Sequence, residues 1–222
     1  MVAYGQTLGV HRMVHEIGAG AFHVVGYLSM ARQGALASLC QTLLDGDVPG
    51  YVPVVRGGGQ MHVRMLCLGR HWNGLKYQYE SSRSDFDGRA VPPLPDEMRQ
   101  LAADIARSVG MSLDADLCIL NYYGPEGRMG LHQDKYETAR SLAAGLPVVS
   151  ISIGDSARFL FGGPRRRDPV EALTLDSGDA FVFGGPARLR YHGVSRILEG
   201  TAPPALGMVG RINLTLRQYD LG

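Results

Sequence analysis

The sequence predicts an α+β fold, with helices in the first half and a jelly roll, or double-stranded β-helix, in the second. Two observations carry this. Apolar residues recur at helical spacing only before about residue 110. From about Leu117 onward, short apolar segments alternate with Gly and Pro turns, the rhythm of an antiparallel sandwich and not of a parallel βαβ sheet. At 222 residues and 45% hydrophobic composition, the chain can bury one full core. The expectation is one compact unit in two parts, residues 1–115 packed on a jelly-roll core of residues 116–222.

Ser29 is placed to cap a helix running to about Asp45, with Leu36, Leu39, Cys40, Leu43 and Leu44 on one stripe. Gly57 to Gly59 read as a loop. MHVRMLCLG reads as a strand, Met61, Val63, Met65 and Cys67 alternating with His62, Arg64 and Leu66. HWNGLKYQYESS then carries Trp72, Tyr77 and Tyr79, and the two tyrosines share a face if the segment is extended. After the DFDGRAVPPLP loop, Pro95 and Asp96 open a second helix with Met98, Leu101, Ile105 and Val109 on one face and Gly110 as its stop. The strands LCILNYY, VVSISIG, ARFLFGG, EALTLDSGD, AFVFGG, LRYHGV and RINLTLRQ follow.

Within this β-rich half, His132 and Asp134 stand two residues apart. On a strand both point to one side and Gln133 to the other. With the distant His192 they make two imidazoles and one carboxylate. That set can hold one face of a metal and leave other positions open, as in non-heme Fe(II) oxygenases. A lone HxD pair is a weak signal, because seven histidines scatter through the chain.

The segment RINLTLRQ strengthens it. Ile212, Leu214 and Leu216 form an apolar face, while Arg211, Asn213, Thr215 and Arg217 share the other. A generic strand would turn such a face to solvent. Arginine is, however, the side chain suited to holding a carboxylate with two parallel hydrogen bonds. Two arginines beside a facial triad suggest a small dicarboxylate next to a metal, and 2-oxoglutarate is such a molecule.

Other function classes recede. Basic and acidic residues nearly cancel, 22 against 21, so nucleic-acid binding through bulk charge is not indicated. The Arg165–Arg167 triplet is equally a solvated loop or a phosphate contact. Cys40, Cys67 and Cys118 are odd in number and lack CxxC spacing, which disfavours a disulfide framework or a cysteine zinc site and fits a reducing cytosol. The N-terminal MVAYGQTLGVHRMVHEIGAG reads as neither signal peptide nor anchor, and no run approaches the roughly 20 apolar residues a spanning helix needs. A cytoplasmic monomer with no membrane contact is the default.

Taken in order, NYYGPEGRMGLHQDK, VVSISIG, FLFGG, RDP, LDSGDAFVFGG, RLRYHG and RINLTLRQ resemble the AlkB family of Fe(II) and 2-oxoglutarate dioxygenases, over roughly Asp116 to Gln218. The bacterial members look nearer than the eukaryotic ones. The resemblance implies oxidative demethylation of N-alkylated bases, such as 1-methyladenine and 3-methylcytosine, in DNA or RNA with the target base flipped out. The co-reactants would be Fe(II), 2-oxoglutarate and dioxygen; the products would be succinate, carbon dioxide and formaldehyde. It makes His132, Asp134 and His192 the iron ligands, and Asn121, Tyr123, Arg211, Asn213 and Arg217 the co-substrate site. Arg211 with Tyr123 would take the distal carboxylate, and Arg217 would lie near the chelating end. The aromatic stretch before residue 80 becomes a nucleotide-recognition lid, with Trp72 at the base and Tyr77 and Tyr79 on the nucleotide backbone; Arg166 would approach the base.

Two departures stand out. Leu68-Gly69 is followed by Arg70 where bacterial members tend to have Trp, so either Trp72 or Arg70 stacks on the base. Tyr136 stands where the family often has an Asp that can meet a cationic base. The rival readings are an oxygenase acting on a protein or small molecule, and a cupin-like metal-binding module.

Overall fold

The computed structural model describes residues 13–221. The elements, in chain order, are β1 (Met13–Gly18), β2 (Ala21–Val25), α1 (Met30–Leu44), β3 (Arg64–Leu68), β4 (His71–Asn73), β5 (Gln78–Glu80), α2 (Asp96–Ser108), β6 (Leu117–Tyr123), β7 (Met129–His132) and α3 (Ala139–Ala143). They continue with β8 (Val148–Gly154), β9 (Ser156–Phe161), β10 (Glu171–Leu175), β11 (Ala180–Phe183), β12 (His192–Leu198) and β13 (Arg211–Arg217).

Two antiparallel sheets form the jelly roll. The larger runs β1-β2-β11-β8-β13-β6-β3 and the smaller β10-β9-β12-β7, while β4 and β5 form a separate hairpin. Residues before 116 thus supply three strands of the larger sheet, which crosses the boundary expected at 115/116. Nothing in the sequence announced the β1–β2 hairpin. Its outer strand MVHEIG is largely exposed and lacks an apolar alternation, and it is held by pairing through β2 to β11.

The helices form where local chemistry favours them. The Ser29 hydroxyl accepts from the Arg32 N–H at 3.4 Å, an N-cap contact worth about 1 kcal/mol. Asp96 and Glu97 sit in the first turn of α2, where the helix dipole favours negative charge, and Gly110 ends the segment at φ +75°. Leu36, Cys40 and Leu44 of α1 and Met98, Leu101 and Ile105 of α2 pack in one core with Leu120, Val149, Ile151, Ile153, Leu214 and Leu216. These strand residues alternate with Asn121, Ser150, Ser152, Asn213 and Thr215. That parity turns a polar face inward, between the two sheets, where nearly all of it is buried. The half-solvated reading of β13 is therefore wrong: Arg211, Asn213 and Arg217 are all buried.

β3 is shorter than the expected strand from Met61 and is covered on both faces. Leu66 and Leu68 join the helical core, while Met65 and Cys67 pack with Tyr51 and Trp72. Between β7 and β12, Gly193 permits a close approach. A Cβ there would lie 2.6 Å from the Met129 carbonyl oxygen. That approach lets His192 pair directly across from His132.

Candidate active site

His132 is the last residue of β7, and Asp134 lies just beyond the strand's end. The strand geometry expected for both does not extend that far, but its outcome does. Gln133 turns away, its amide donating to the Leu189 and Pro164 carbonyls, and Asp134 turns inward. His192 arrives from β12, its ring centroid 4.5 Å from that of His132. One ligand atom from each of the three lies within 4.8 Å of the others.

Hydrogen bonding decides what these atoms can do. His132 Nδ1 donates to the Gly130 carbonyl at 2.9 Å, and His192 Nδ1 to the Arg190 carbonyl at 3.1 Å. Both Nε2 atoms are thereby left as acceptors, the tautomer suited to metal binding. They face the Asp134 carboxylate, His132 Nε2 at 3.9 Å from Oδ1 and His192 Nε2 at 3.4 Å from Oδ2. Oδ2 is buried without a hydrogen bond. Three acceptors converging without a proton among them fit a divalent cation. Burial and the neighbouring His192 lower His132 to about 4, so its ring is neutral at pH 7. Burial pushes the Asp134 carboxyl up, but the Arg217 guanidinium outweighs it and holds it well below the usual carboxylate range.

The residues expected to take a dicarboxylate lie on β6 and β13. Asn121 pairs across from Asn213, and Tyr123 across from Arg211. The Arg211 guanidinium donates to Ser152 Oγ at 2.8 Å and the Leu175 carbonyl at 3.3 Å, while its Nε has no partner. Among the described residues no carboxylate lies within ion-pair distance of it. Burial lowers Arg211 to about 10, which leaves it charged at pH 7. Burial also raises Tyr123 to about 12, so its hydroxyl remains a donor. A buried, charged and unpaired guanidinium is costly unless an anion meets it. Arg217 sits at the other end, Nη1 at 3.0 Å from Asp134 Oδ1 and 2.8 Å from Glu137 Oε1.

A cavity of about 550 Å³ joins these groups to the surface. Asn121, Tyr123, Asn213 and Arg217 line its inner part, and Trp72, Tyr77, Tyr136 and Arg166 its outer part. Arg211 stands outside this lining, beside Tyr123. Trp72 faces the cavity, whereas the Arg70 guanidinium lies outside its lining, 4.1 Å over the Tyr219 ring. Tyr77 meets Trp72 edge-on at 5.8 Å and Tyr136 at 5.6 Å. Arg166 donates to the Leu131 carbonyl at 2.7 Å at the rim.

The expected pairing of Tyr77 and Tyr79 on one strand face needs correction. Tyr77 lies in the β4–β5 turn with φ +57°, so strand parity does not reach it. Tyr79 is buried, packed against Tyr219 with the Arg217 guanidinium 5.6 Å over its ring. It belongs to the cavity floor, where its hydroxyl is buried without a hydrogen-bond partner. Sequence reasoning missed Glu137 and Arg188, whose side chains pair at 3.0 Å in the interior. No spacing signals them, since the partners stand 51 positions apart in the chain (188 minus 137).

The jelly roll, the convergent triad and the buried arginines define an iron- and 2-oxoglutarate-dependent oxygenase, and the chain belongs to the 2OG-Fe(II) oxygenase superfamily, whose family profile matches residues 20–217. Fe(II), 2-oxoglutarate and dioxygen are the requirements of that family.

Within it, the similarity runs to AlkB-type dioxygenases. The chain is 40% identical over 215 residues to the Arabidopsis thaliana protein named DNA N(6)-methyladenine demethylase ALKBH1C, spanning 87% of this chain and 47% of that protein. It is 37% identical over 168 residues to the alpha-ketoglutarate-dependent dioxygenase AlkB of Escherichia coli, spanning 74% and 75%. A solved structure described as OsALKBH1 superposes with a TM-score of 0.87 at 35% identity, covering 93% of this chain and all of that one. The chain spans about half the length of the plant relatives it matches. The similarity expected to bacterial members is present, at 37% identity, and it extends to plant members at 40%.

Proposed function

We propose that this chain demethylates N-alkylated bases in nucleic acid by oxidation. The observation that carries the reading is the juxtaposition of three convergent acceptors, His132 Nε2, Asp134 and His192 Nε2, with a pair of buried arginines of which Arg211 has no anion among the described residues. Iron held by the triad, with 2-oxoglutarate and dioxygen, supplies the oxidation of an N-methyl group to a hydroxymethyl group, which leaves as formaldehyde.

The chain's own residues do the rest. Arg211 and the Tyr123 hydroxyl take the distal carboxylate, and Asn121, Asn213 and Arg217 line the path to the triad. Phe159 and Phe183 pack against the His192 ring, centroids 6.1 and 4.8 Å away, and keep water from that side. A methylated base inside a duplex cannot reach the triad, so the base is flipped into the cavity, where Trp72, Tyr77 and Tyr136 offer ring faces and edges. The similarity to plant proteins named for DNA demethylation supports a nucleic acid over a protein or small-molecule substrate. A reducing cytosolic setting is part of the proposal, supported by three free, buried cysteines.

The test is turnover with Fe(II), 2-oxoglutarate and ascorbate, with and without oligonucleotides carrying 1-methyladenine, 3-methylcytosine or N(6)-methyladenine, in DNA and in RNA. Succinate and formaldehyde in equal amounts with a methylated strand support the reading. Succinate without formaldehyde from any strand points to another substrate. No succinate at all, with metal bound, leaves a cupin-like binding module.

A further inference from the structure

Behind Asp134 lies a closed set of four charged groups, two acidic and two basic, that the triad alone does not require. Glu137 stands between two arginines. Its Oε1 lies 2.8 Å from Arg217 Nη1, and its Oε2 lies 3.0 Å from Arg188 Nη2. The Glu137 side chain is fully buried, with Arg188 and Arg217 at 4% and 2% exposure, so the attractions are little screened by solvent. Arg188 also donates through Nη1 to the main-chain carbonyl of Asp134. Asp134 is therefore held twice, at its backbone by Arg188 and at its carboxylate by Arg217.

We propose that Glu137 and Arg188 are positioning residues that clamp the metal ligand Asp134 and restrain Arg217 beside it. This rests on the reading of His132, Asp134 and His192 as a metal site. The physical need is visible in the geometry. Arg217 Nη1 is shared between Asp134 Oδ1 and Glu137 Oε1 at nearly equal distances, 3.0 and 2.8 Å. Without the Glu137 charge, Asp134 would be the only carboxylate left to Arg217. The guanidinium would then compete with a cation for that carboxylate. Glu137 draws the positive charge off the ligand, and Arg188 neutralises Glu137 in turn. Asp134 Oδ2 stays free of hydrogen bonds and directed at His192. Neither residue touches the triad imidazoles or lines the cavity, so the role is indirect.

The experiment is titration of the metal-free protein with Mn²⁺, alongside its thermal unfolding without metal. Glu137→Gln keeps the shape and removes the charge. It should weaken Mn²⁺ binding by about tenfold or more, the usual scale for groups that orient metal ligands. Arg188→Lys, which keeps charge but cannot reach both Glu137 and the Asp134 carbonyl, should weaken it less. In turnover assays Glu137→Gln should raise KM for 2-oxoglutarate more than it lowers kcat, since Arg217 is displaced. A purely structural role would lower the melting temperature and leave Mn²⁺ affinity of the folded protein unchanged. A change under about fivefold therefore overturns the proposal. Should Glu137→Gln fail to fold, the double variant Glu137→Gln/Arg188→Met buries no unpaired charge from this pair and is read by the same criterion. His192→Ala separates the two levels: if it binds Mn²⁺ as the wild type does, the metal-site reading itself has failed.

Discussion

Arg217 Nη1 stands 3.0 Å from Oδ1 of Asp134, so one guanidinium both lines the cavity and leans on a carboxylate of the candidate triad. Burial works against the Arg217 charge, but Asp134, Tyr79 and Glu137 outweigh it and raise its pKa above the usual arginine value. Arg217→Ala should lower kcat/KM by at least about 30-fold, equivalent to about 2 kcal/mol for removing one partner of a buried charge pair. Succinate release at low 2-oxoglutarate measures it, and full activity there would refute the assignment.

Arg211 should behave differently because it has no anion of its own. Arg211→Met removes an unpaired buried cation of similar length, so the melting temperature of the metal-free protein should hold or rise. The apparent KM for 2-oxoglutarate should increase by about 100-fold, or about 2.7 kcal/mol of lost carboxylate anchoring. A large loss of stability with unchanged KM would make Arg211 a structural residue.

At the cavity's outer end, Trp72 and Arg70 are separable. Trp72→Ala should weaken the methylated oligonucleotide by about 1–3 kcal/mol, the range for loss of one stacking ring. Arg70→Ala removes only a cation over Tyr219 and should leave oligonucleotide affinity within about twofold. Fluorescence anisotropy with a labelled strand, under conditions without dioxygen, reads both.

The triad leaves a signature in pH. Burial and the neighbouring His192 lower His132 in the metal-free fold to about 4, below the ordinary imidazole value near 6.5. Its neutral form favours the folded state. The contribution is present in full above about 6.5, and it is lost as pH falls from there toward about 4, because the unfolded chain takes up the proton first. The melting temperature of metal-free protein should fall across that interval, and less steeply in His132→Gln. Equal slopes in the two proteins would show that His132 is not shielded.

Much of the site was legible because strand parity survives folding. Arg211, Asn213 and Arg217 do share a face, and Asn121 and Tyr123 of the neighbouring strand lie on that same face of the sheet, since a period of two is imposed by the pleat itself. His132 and Asp134 converge though the strand stops between them, because Gln133 is held outward by two carbonyls. Parity failed at Tyr77, where one left-handed residue interrupts the extended backbone, and it gave no warning that Tyr79 would be buried.

The amino-acid order by itself determined the helix caps, the alternation of the strands and the chemical types that meet at the site, since these depend on neighbours within a few residues. Which side of each strand is solvent and which is interior was decided only by the second sheet closing over the first. That closure turned a polar face inward, left Arg211 without an anion among the described residues, and brought together Glu137 and Arg188, 51 positions apart in the chain (188 minus 137). Burial and long-range pairing depend on where distant segments come to rest, and no local pattern encodes that distance.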